Sequence, residues 1–390
     1  MRVGAVIGRE IRIARLAVIA VFFLNGFGFA GWVVRIPAVK EKLGLGEGLL
    51  GAALLGAAVG SLIAMPLAGW LVSRLGSRPV VGVTAFSWPV ALILLALAPS
   101  LPLLVLSLVF AGMAVGSLDV SMNAQAVAVE KEYRRPIMSS FHAAFSFGGL
   151  IGAAGGGLVA SAGIGVFPHF AGVAALTVVA TIFAYRALLP ASADAGQGDG
   201  EPAFARPTRA LLGLGIIAFC VLLGEGAMAD WSAVYLNDTL ETGPGFAAAG
   251  YAAFSLAMAV GRLTGDRLME RIGAVRIVRA GAAVSAAGLG VSLFAAEPVF
   301  ALAGFAAAGT GFSIIFPAAL SAAGHSDEMA AGPALAAVSS AGYFGFLVGP
   351  PSIGFVAELV GLGTALYIVV ALSSVIVLLA GSVRSGGAKG

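Results

Sequence analysis

The sequence predicts an all-α integral membrane protein with twelve transmembrane helices in two pseudo-symmetric six-helix bundles. Three observations lead to this fold class: hydrophobic runs of membrane-spanning length recur along all 390 residues, charged residues fall mostly in the gaps between runs, and short motifs repeat between the two halves. Hydrophobic residues make up 59% of the chain, charged residues only 11%, and the mean hydropathy is +1.02. A water-soluble domain of this length needs more polar surface.

A helix needs roughly 20 apolar residues to cross about 30 Å of hydrocarbon, where every backbone polar group must be paired within the helix. The first six runs cover residues 15–38, 48–73, 79–99, 101–129, 136–162 and 166–189. The last six cover residues 209–236, 245–270, 275–296, 298–324, 332–358 and 362–383. Arginines before the first run are typical of a secretory signal, but the apolar stretch continues through Val34 and more spans follow, which favours an uncleaved helix.

The distribution of Lys and Arg predicts that both termini are cytoplasmic. With the amino terminus inside, the outer loops and helix ends carry only Arg35, Lys40 and Lys42, whereas the inner loops carry many basic residues. Basic residues concentrate on the cytoplasmic side of membrane proteins. The same bias explains the pI of about 9.2, so the positive charge predicts a lipid bilayer as the surroundings and no nucleic-acid partner.

One long polar interruption divides the chain into a bundle of residues 1–189, a cytoplasmic linker of residues 190–208 and a second bundle of residues 209–390. Arg74-Leu75-Gly76 corresponds to Arg271-Ile272-Gly273, and Phe147-Gly148 corresponds to Phe344-Gly345; both pairs are 197 residues apart. Two matches at one spacing indicate duplication. Parallel repeats of this kind are typical of secondary transporters, whose binding site lies between the halves.

The glycines predict close helix packing, because small residues one turn apart let backbones approach. Gly56 with Gly60 forms such a pair. We expect four further glycines of the fifth and eleventh spans to form a sliding contact between the halves: Gly148, Gly149, Gly345 and Gly349.

The chain resembles the major facilitator superfamily over essentially its whole length. The segment from Gly69 to Arg78, GWLVSRLGSR, is similar to the superfamily's loop G-x-x-x-D-R-x-G-R-R, with Ser73 in place of the usual acid. The strings NGFGFAGWVVRIP, GEGAMADWSAVYL and GYFGFLVGPPSIGF look like the YbjJ branch, a bacterial group distantly similar to fucose permease. The resemblance implies a multi-pass protein of the bacterial cytoplasmic (inner) membrane, and we expect a monomer.

Charged side chains inside the spans are the main candidates for function, because each costs on the order of 2.5 to 3.5 kcal/mol at membrane depth. Asp119 and Asn123 share a face of the fourth span, with Glu130 further along it. His142 lies on the fifth span, and Glu225 lies between two glycines on the seventh. Each is either a proton or substrate group in a central cavity or a structural hydrogen-bonding group.

Two tryptophans at corresponding places are further cavity candidates. Trp32 shares a face of the first span with Asn25, and Trp231 lies near the outer end of the seventh. Aromatic rings there either stack on a solute or anchor the helix at the membrane interface. Asp230 is expected to point away from Glu225 and to fix the end of the span. Arg35 is expected to pair with an acidic residue or to attract anions.

A cytoplasmic gate is predicted from basic and acidic residues at the inner ends of the second and eighth spans. Arg262 and Asp266 are spaced for an ion pair one helical turn apart. This cluster either breaks when the protein opens or clamps the structure permanently. The predicted gate consists of Arg74, Arg78, Arg262, Asp266, Arg267 and Arg271.

These features predict a secondary active transporter of a small solute, not an enzyme. The chain contains neither the phosphate-binding G-x-x-x-x-G-K-[ST] pattern nor the H-E-x-x-H metal motif, and its one cysteine, Cys220, forms no cluster, so we expect no cofactor and no metal. The leading hypothesis is proton-coupled symport of a polar compound such as a sugar, with the proton bound by Glu225, Asp119 and His142. The alternative is proton-driven export of amphipathic or toxic compounds.

Overall fold

The computed structural model describes residues 8–133, 137–194, 211–324 and 331–384, and twelve helices in these ranges are long and apolar enough to cross a membrane. The first six are α1 (Arg9–Val33), α2 (Glu47–Leu75), α3 (Ser77–Leu97), α4 (Leu101–Tyr133), α5 (Met138–Ser161) and α6 (Val166–Arg186). The last six are α7 (Leu212–Val234), α8 (Pro244–Ile272), α9 (Ala274–Ala295), α10 (Pro298–Gly324), α11 (Ala331–Val360) and α12, which consists of Leu362–Ala365 and Tyr367–Leu379. The predicted all-α membrane fold is confirmed.

Two irregular segments interrupt this pattern. A short helix, Ile36–Leu43, follows α1 and ends at Gly44, whose left-handed φ of 62° suits glycine. A single π-helical turn, Tyr235–Thr239, continues α7. Because an even number of spans returns the chain to its starting face, α1 begins and α12 ends on one face, here called the terminus face. Both irregular segments lie on the other, the distal face.

The two halves pack their helices in the same way. In the first bundle α4 lies against α2 and α3, while α1 lies against α5 and α6. In the second bundle α10 lies against α8 and α9, while α7 lies against α11 and α12. Each helix therefore has the neighbours of the helix six positions away, which confirms the two pseudo-symmetric bundles.

Two helix pairs join the bundles: α5 packs on α8, and α2 packs on α11. The two pairs correspond to each other, because a shift of six helix positions turns α5 with α8 into α11 with α2. Near the distal face their backbones are very close, because Gly157 faces Gly245 across one pair and Gly51 faces Gly354 across the other. Side chains at these positions would separate the bundles at that end.

Three of the four glycines predicted to form the sliding contact pack inside a bundle instead. Gly148 lies against Phe23 of α1, and Gly345 and Gly349 lie against α7; only Gly149 faces the other bundle, at Ser255. Adjacent helix residues point about 100° apart, so α5 can present Gly148 to α1 and Gly149 to α8. The spacing of the glycines alone did not show which of them face a helix of the same bundle and which face the other bundle.

The predicted domain boundaries remain a prediction. Residues 195–210, most of the predicted linker, lie outside the described residues. The described start of this segment contacts the first bundle, because the Asp194 carboxylate accepts a hydrogen bond from the backbone N–H of Ser77 at 3.0 Å.

Glycine packing between α2 and α4 gives a direct stability test. A methyl group at Gly112 would collide with the carbonyl oxygen of Ala57, whereas a methyl group at Gly172 would meet open space. We expect Gly112→Ala to destabilise the purified protein by about 1 to 3 kcal/mol through overpacking. Gly172→Ala is the matched control and should leave the melting temperature unchanged or raise it, since alanine favours helix. Equal melting temperatures in scanning fluorimetry would contradict the packing.

Candidate functional site

A cavity of about 510 Å³ lies between the two bundles, within the size range of small-molecule sites. Both bundles contribute to its wall. Its polar and charged lining residues are Asn25, Ser61, Asp119, Asn123, His142, Ser146, Glu225, Asp230, Tyr251, Ser255, Arg262, Ser339 and Tyr343. Apolar and aromatic side chains form the rest of the wall.

Asp119 receives hydrogen bonds from both bundles. The Asn123 side-chain amide, one turn along α4, donates to Asp119 Oδ1 at 3.2 Å and to the Asp119 carbonyl at 2.8 Å. The Tyr343 hydroxyl donates from α11 to Asp119 Oδ2 at 3.2 Å. Glu130 does not extend this cluster; its carboxylate instead accepts the backbone N–H groups of Ile137 and Met138 at the start of α5. Asp119 is thus the point where α4 and α11 meet through polar atoms.

Arg262 connects three helices within the cavity. Its guanidinium lies 3.5 Å from Glu225 Oε2 of α7 and donates to the Ser146 hydroxyl of α5 at 2.8 Å. Arg262, predicted to belong to a cytoplasmic gate, lines the cavity, and its gating role stays a prediction. Arg262 shares a helical stripe with Tyr251, and this stripe of α8 faces the cavity. The side chain of its predicted partner, Asp266, lies outside the described residues.

Four other predicted gate residues remain in or beside their own bundle. Arg74 stacks over Trp70 at 4.9 Å, and Arg78 stacks over Tyr185 at 5.1 Å. Arg267 and Arg271 are exposed. Among the described contacts, none joins these four residues to the opposite bundle, so their gating role stays a prediction.

Six of the seven predicted cavity residues line the cavity: Asn25, Trp32, Asp119, Asn123, His142 and Glu225. Trp231 does not, because its side chain is fully buried and its ring packs beside Gly354.

Asp230 lines the cavity in place of Trp231, contrary to the expectation that it points away from Glu225. Gly226 and Ala229 lie between the two carboxylates on the helical surface and also line the cavity. Because both intervening residues are small, the open face of α7 is wide enough to include Glu225 at one edge and Asp230 at the other.

Among its described contacts Arg35 has no acidic partner, contrary to one of its two predicted roles; attraction of anions stays a prediction. Its Nε–H donates to His169 Nδ1 at 3.0 Å and an Nη–H donates to the Ile164 carbonyl at 2.8 Å. The side chain is buried between α1 and α6, away from the cavity lining. Arg35 therefore fixes the distal end of the first bundle.

Polar contacts also join the bundles at the distal face. The Lys40 ammonium lies 2.9 Å from Glu47 in its own bundle and 2.6 Å from Asp238 in the other. The backbone N–H of Gly48 donates to Glu358 Oε2 of α11 at 3.0 Å. With the glycine contacts between α5 and α8 and between α2 and α11, these bonds hold the two bundles together at the distal face.

Sequence reasoning missed Tyr343 and the distal pair of Lys40 and Asp238. Tyr343 lies in a glycine-rich string of α11 that was noted only for its family resemblance. Nothing in that string indicated which face of α11 meets Asp119. Lys40 and Asp238 are 198 residues apart. Only their positions at the distal ends of α1 and α7, corresponding helices of the two bundles, could have suggested a contact.

Comparisons with known proteins agree with this architecture. Residues 18–331 match the family model of the Major Facilitator Superfamily. An uncharacterised MFS-type transporter of Yersinia pestis is 38% identical over 348 residues, covering 88% of this chain and 89% of the relative. The membrane protein MosC of Rhizobium meliloti is 34% identical over 357 residues, covering 91% and 86%.

Solved structures show the same fold at low identity. The nucleoside transporter NupG superposes with a TM-score of 0.71 at 14% identity, covering 95% of this chain and 98% of its own. FucP, an MFS transporter in the outward conformation, superposes with a TM-score of 0.64 at 20% identity, covering 96% and 100%. The chain therefore belongs to the Major Facilitator Superfamily, as a multi-pass membrane transporter of a small solute and not an enzyme.

Proposed function

We propose that the protein is a proton-coupled symporter that moves a small polar organic compound, such as a sugar, by alternating access. The observation that carries this proposal is the cavity between the bundles, where Asp119 accepts a hydrogen bond from Tyr343 of the other bundle. In the same cavity Glu225 pairs with Arg262, which itself contacts Ser146 of the other bundle. A solute or proton bound there can change how the bundles hold together.

The contacts at the distal face support an alternating-access cycle. Lys40 with Asp238, and Gly48 with Glu358, join the bundles on that side of the cavity. We assign the distal face to the outside of a bacterial inner membrane and the terminus face to the cytoplasm, following the bias of Lys and Arg. We also propose that residues 190–208 link the bundles at the cytoplasmic face and leave them free to rock.

Glu225 is the proposed main proton acceptor. A proton on Glu225 removes the negative charge that attracts Arg262, which leaves the Ser146 hydroxyl as the other described partner of this guanidinium. The contact between α5 and α8 then depends on whether Glu225 of α7 is protonated. Asp119 couples α4 to α11 in the same way through Tyr343, and His142 lines the same cavity.

The lining supports a polar solute. Asn25, Asn123 and Ser61 offer neutral hydrogen-bonding groups, and Trp32 offers a ring for stacking. NupG, which shares the fold, is a nucleoside transporter, and nucleosides also combine a ring with hydroxyl groups. The second candidate is proton-driven export of amphipathic compounds, which the largely apolar and aromatic remainder of the wall favours.

Opening of the distal face can be measured without knowing the solute. Leu49 of α2 and Leu359 of α11 are 51% and 84% exposed, at adjoining distal ends of the two bundles. Both leucines are replaced by cysteine in a Cys220→Ala background and carry spin labels. Double electron–electron resonance should then give two distances between the labels, a short one and a longer one. Lys40→Met should increase the longer population, because it removes the ion pair with Asp238.

The control for this measurement is a label pair within the first bundle, at Leu49 and Leu103 of α4, both of them exposed. Its distance should not respond to Lys40→Met. A single inter-bundle distance that is identical in both proteins would contradict alternating access at this face.

Proton coupling is testable in proteoliposomes carrying a radiolabelled panel of sugars and nucleosides. An inward proton gradient should drive accumulation of at least one compound, and a protonophore should abolish it. Glu225→Gln should reduce accumulation by at least about tenfold, equivalent to about 1.4 kcal/mol, while solute exchange without a gradient continues.

The matched control is Glu297→Gln, which removes an exposed carboxylate outside the cavity. Proteoliposomes that contain this variant should accumulate solute normally. Accumulation that survives the protonophore would exclude proton coupling. Efflux driven by the same gradient would instead support the exporter.

A further inference from the structure

The cavity holds more acidic than basic side chains. Asp119, Glu225 and Asp230 line it, whereas Arg262 is the one Lys or Arg among its described lining residues. Arg262 pairs with Glu225. The described donors to the Asp119 side chain, Asn123 and Tyr343, are neutral. Two carboxylates in this cavity therefore lack a cationic partner.

Asp230 stands apart from the other two carboxylates. Within the described residues it makes no hydrogen bond and no ion pair, although it lines the cavity beside Glu225 on the wide face of α7. A carboxylate withdrawn from water is costly unless a cation or a hydrogen-bond donor compensates it. Among the described residues, none is a partner that compensates the charge of Asp230.

The cavity that Asp230 lines also has an aromatic wall, which is centred on Tyr251 of α8. The Tyr251 ring meets Phe29 of α1 edge-on at 6.2 Å and stacks on Phe254 at 6.0 Å. All three rings line the cavity. Aromatic faces attract cations, most strongly where water is excluded, and they commonly surround quaternary ammonium groups.

We propose that the transported solute carries a positively charged amino or ammonium group, which Asp230 binds against the wall of Phe29, Tyr251 and Phe254. This inference rests on the proposed function, since it treats the cavity as the solute site. It narrows the solute from a neutral sugar to a cationic compound, with Asn25, Asn123 and Asp119 left to bind its hydroxyl groups.

The test compares cations with neutral isosteres on the detergent-purified full chain. Choline is paired with 3,3-dimethylbutan-1-ol, in which carbon replaces the charged nitrogen, and glucosamine is paired with glucose. A ligand of the native state stabilises it by RT ln(1 + [L]/Kd) and therefore raises the melting temperature. We expect the cationic member of at least one pair to stabilise the protein and its neutral partner to have no effect at the same concentration.

Asp230→Asn should weaken binding of the cationic compound by at least about tenfold, because it removes the charge and keeps the shape. Asp230→Glu should restore part of the affinity. Glu297→Gln, which removes an exposed carboxylate, should bind normally. The isostere comparison uses the unmodified protein, so it stands even if a variant fails to fold.

Three results would overturn this inference: equal stabilisation by both members of each pair, no stabilisation by either cation, or a cation effect that survives Asp230→Asn. Each of these leaves the proposed transport function intact, because that function is tested separately by the opening of the distal face and by gradient-driven uptake.

Discussion

Hydrocarbon cannot solvate polar groups, so a charged side chain at membrane depth is costly unless a protein group, a bound solute or cavity water compensates its charge. Arg262 shows the consequence most clearly. Its guanidinium contacts Glu225 of the same bundle and Ser146 of the other. One cation in the cavity wall thereby links Glu225 of α7 to the contact between α5 and α8, so the cavity and the interface between the bundles share one polar cluster.

Glycine lets the two bundles come close together near the distal face. The bundles approach through backbone contacts at Gly51 with Gly354 and at Gly157 with Gly245. Without bulky side chains there, hydrogen bonds such as that from Gly48 to Glu358 can form between the bundles. Tight backbone packing and polar contacts between the bundles thus occur together at the distal face.

The fold was predictable because span length, charge placement and internal repetition are properties of the sequence alone. The cavity was predictable in part, since an ionisable residue within a span has few places to go; Glu225 and Asp119 were found in this way. Spacing could not show that Asp230 lines the cavity and Trp231 does not. The width of the face that α7 turns to the cavity depends on which helices pack against α7. Nor could spacing link Tyr343 to Asp119, because their contact depends on how α11 and α4 are placed around the cavity.

The distal pair of Lys40 and Asp238 and the cavity pair of Arg262 and Glu225 both remain partly open to solvent. The side chains are 13% and 26% exposed in the distal pair, and 18% and 14% exposed in the cavity pair. Ion pairs that dissolved ions can reach weaken as salt screens them. The backbone contacts at Gly51 with Gly354 and at Gly157 with Gly245 carry no net charge and are not screened in this way. Concentrated salt therefore weakens the ionic contacts at both levels of the molecule and leaves the glycine-lined helix surfaces as the contact that persists.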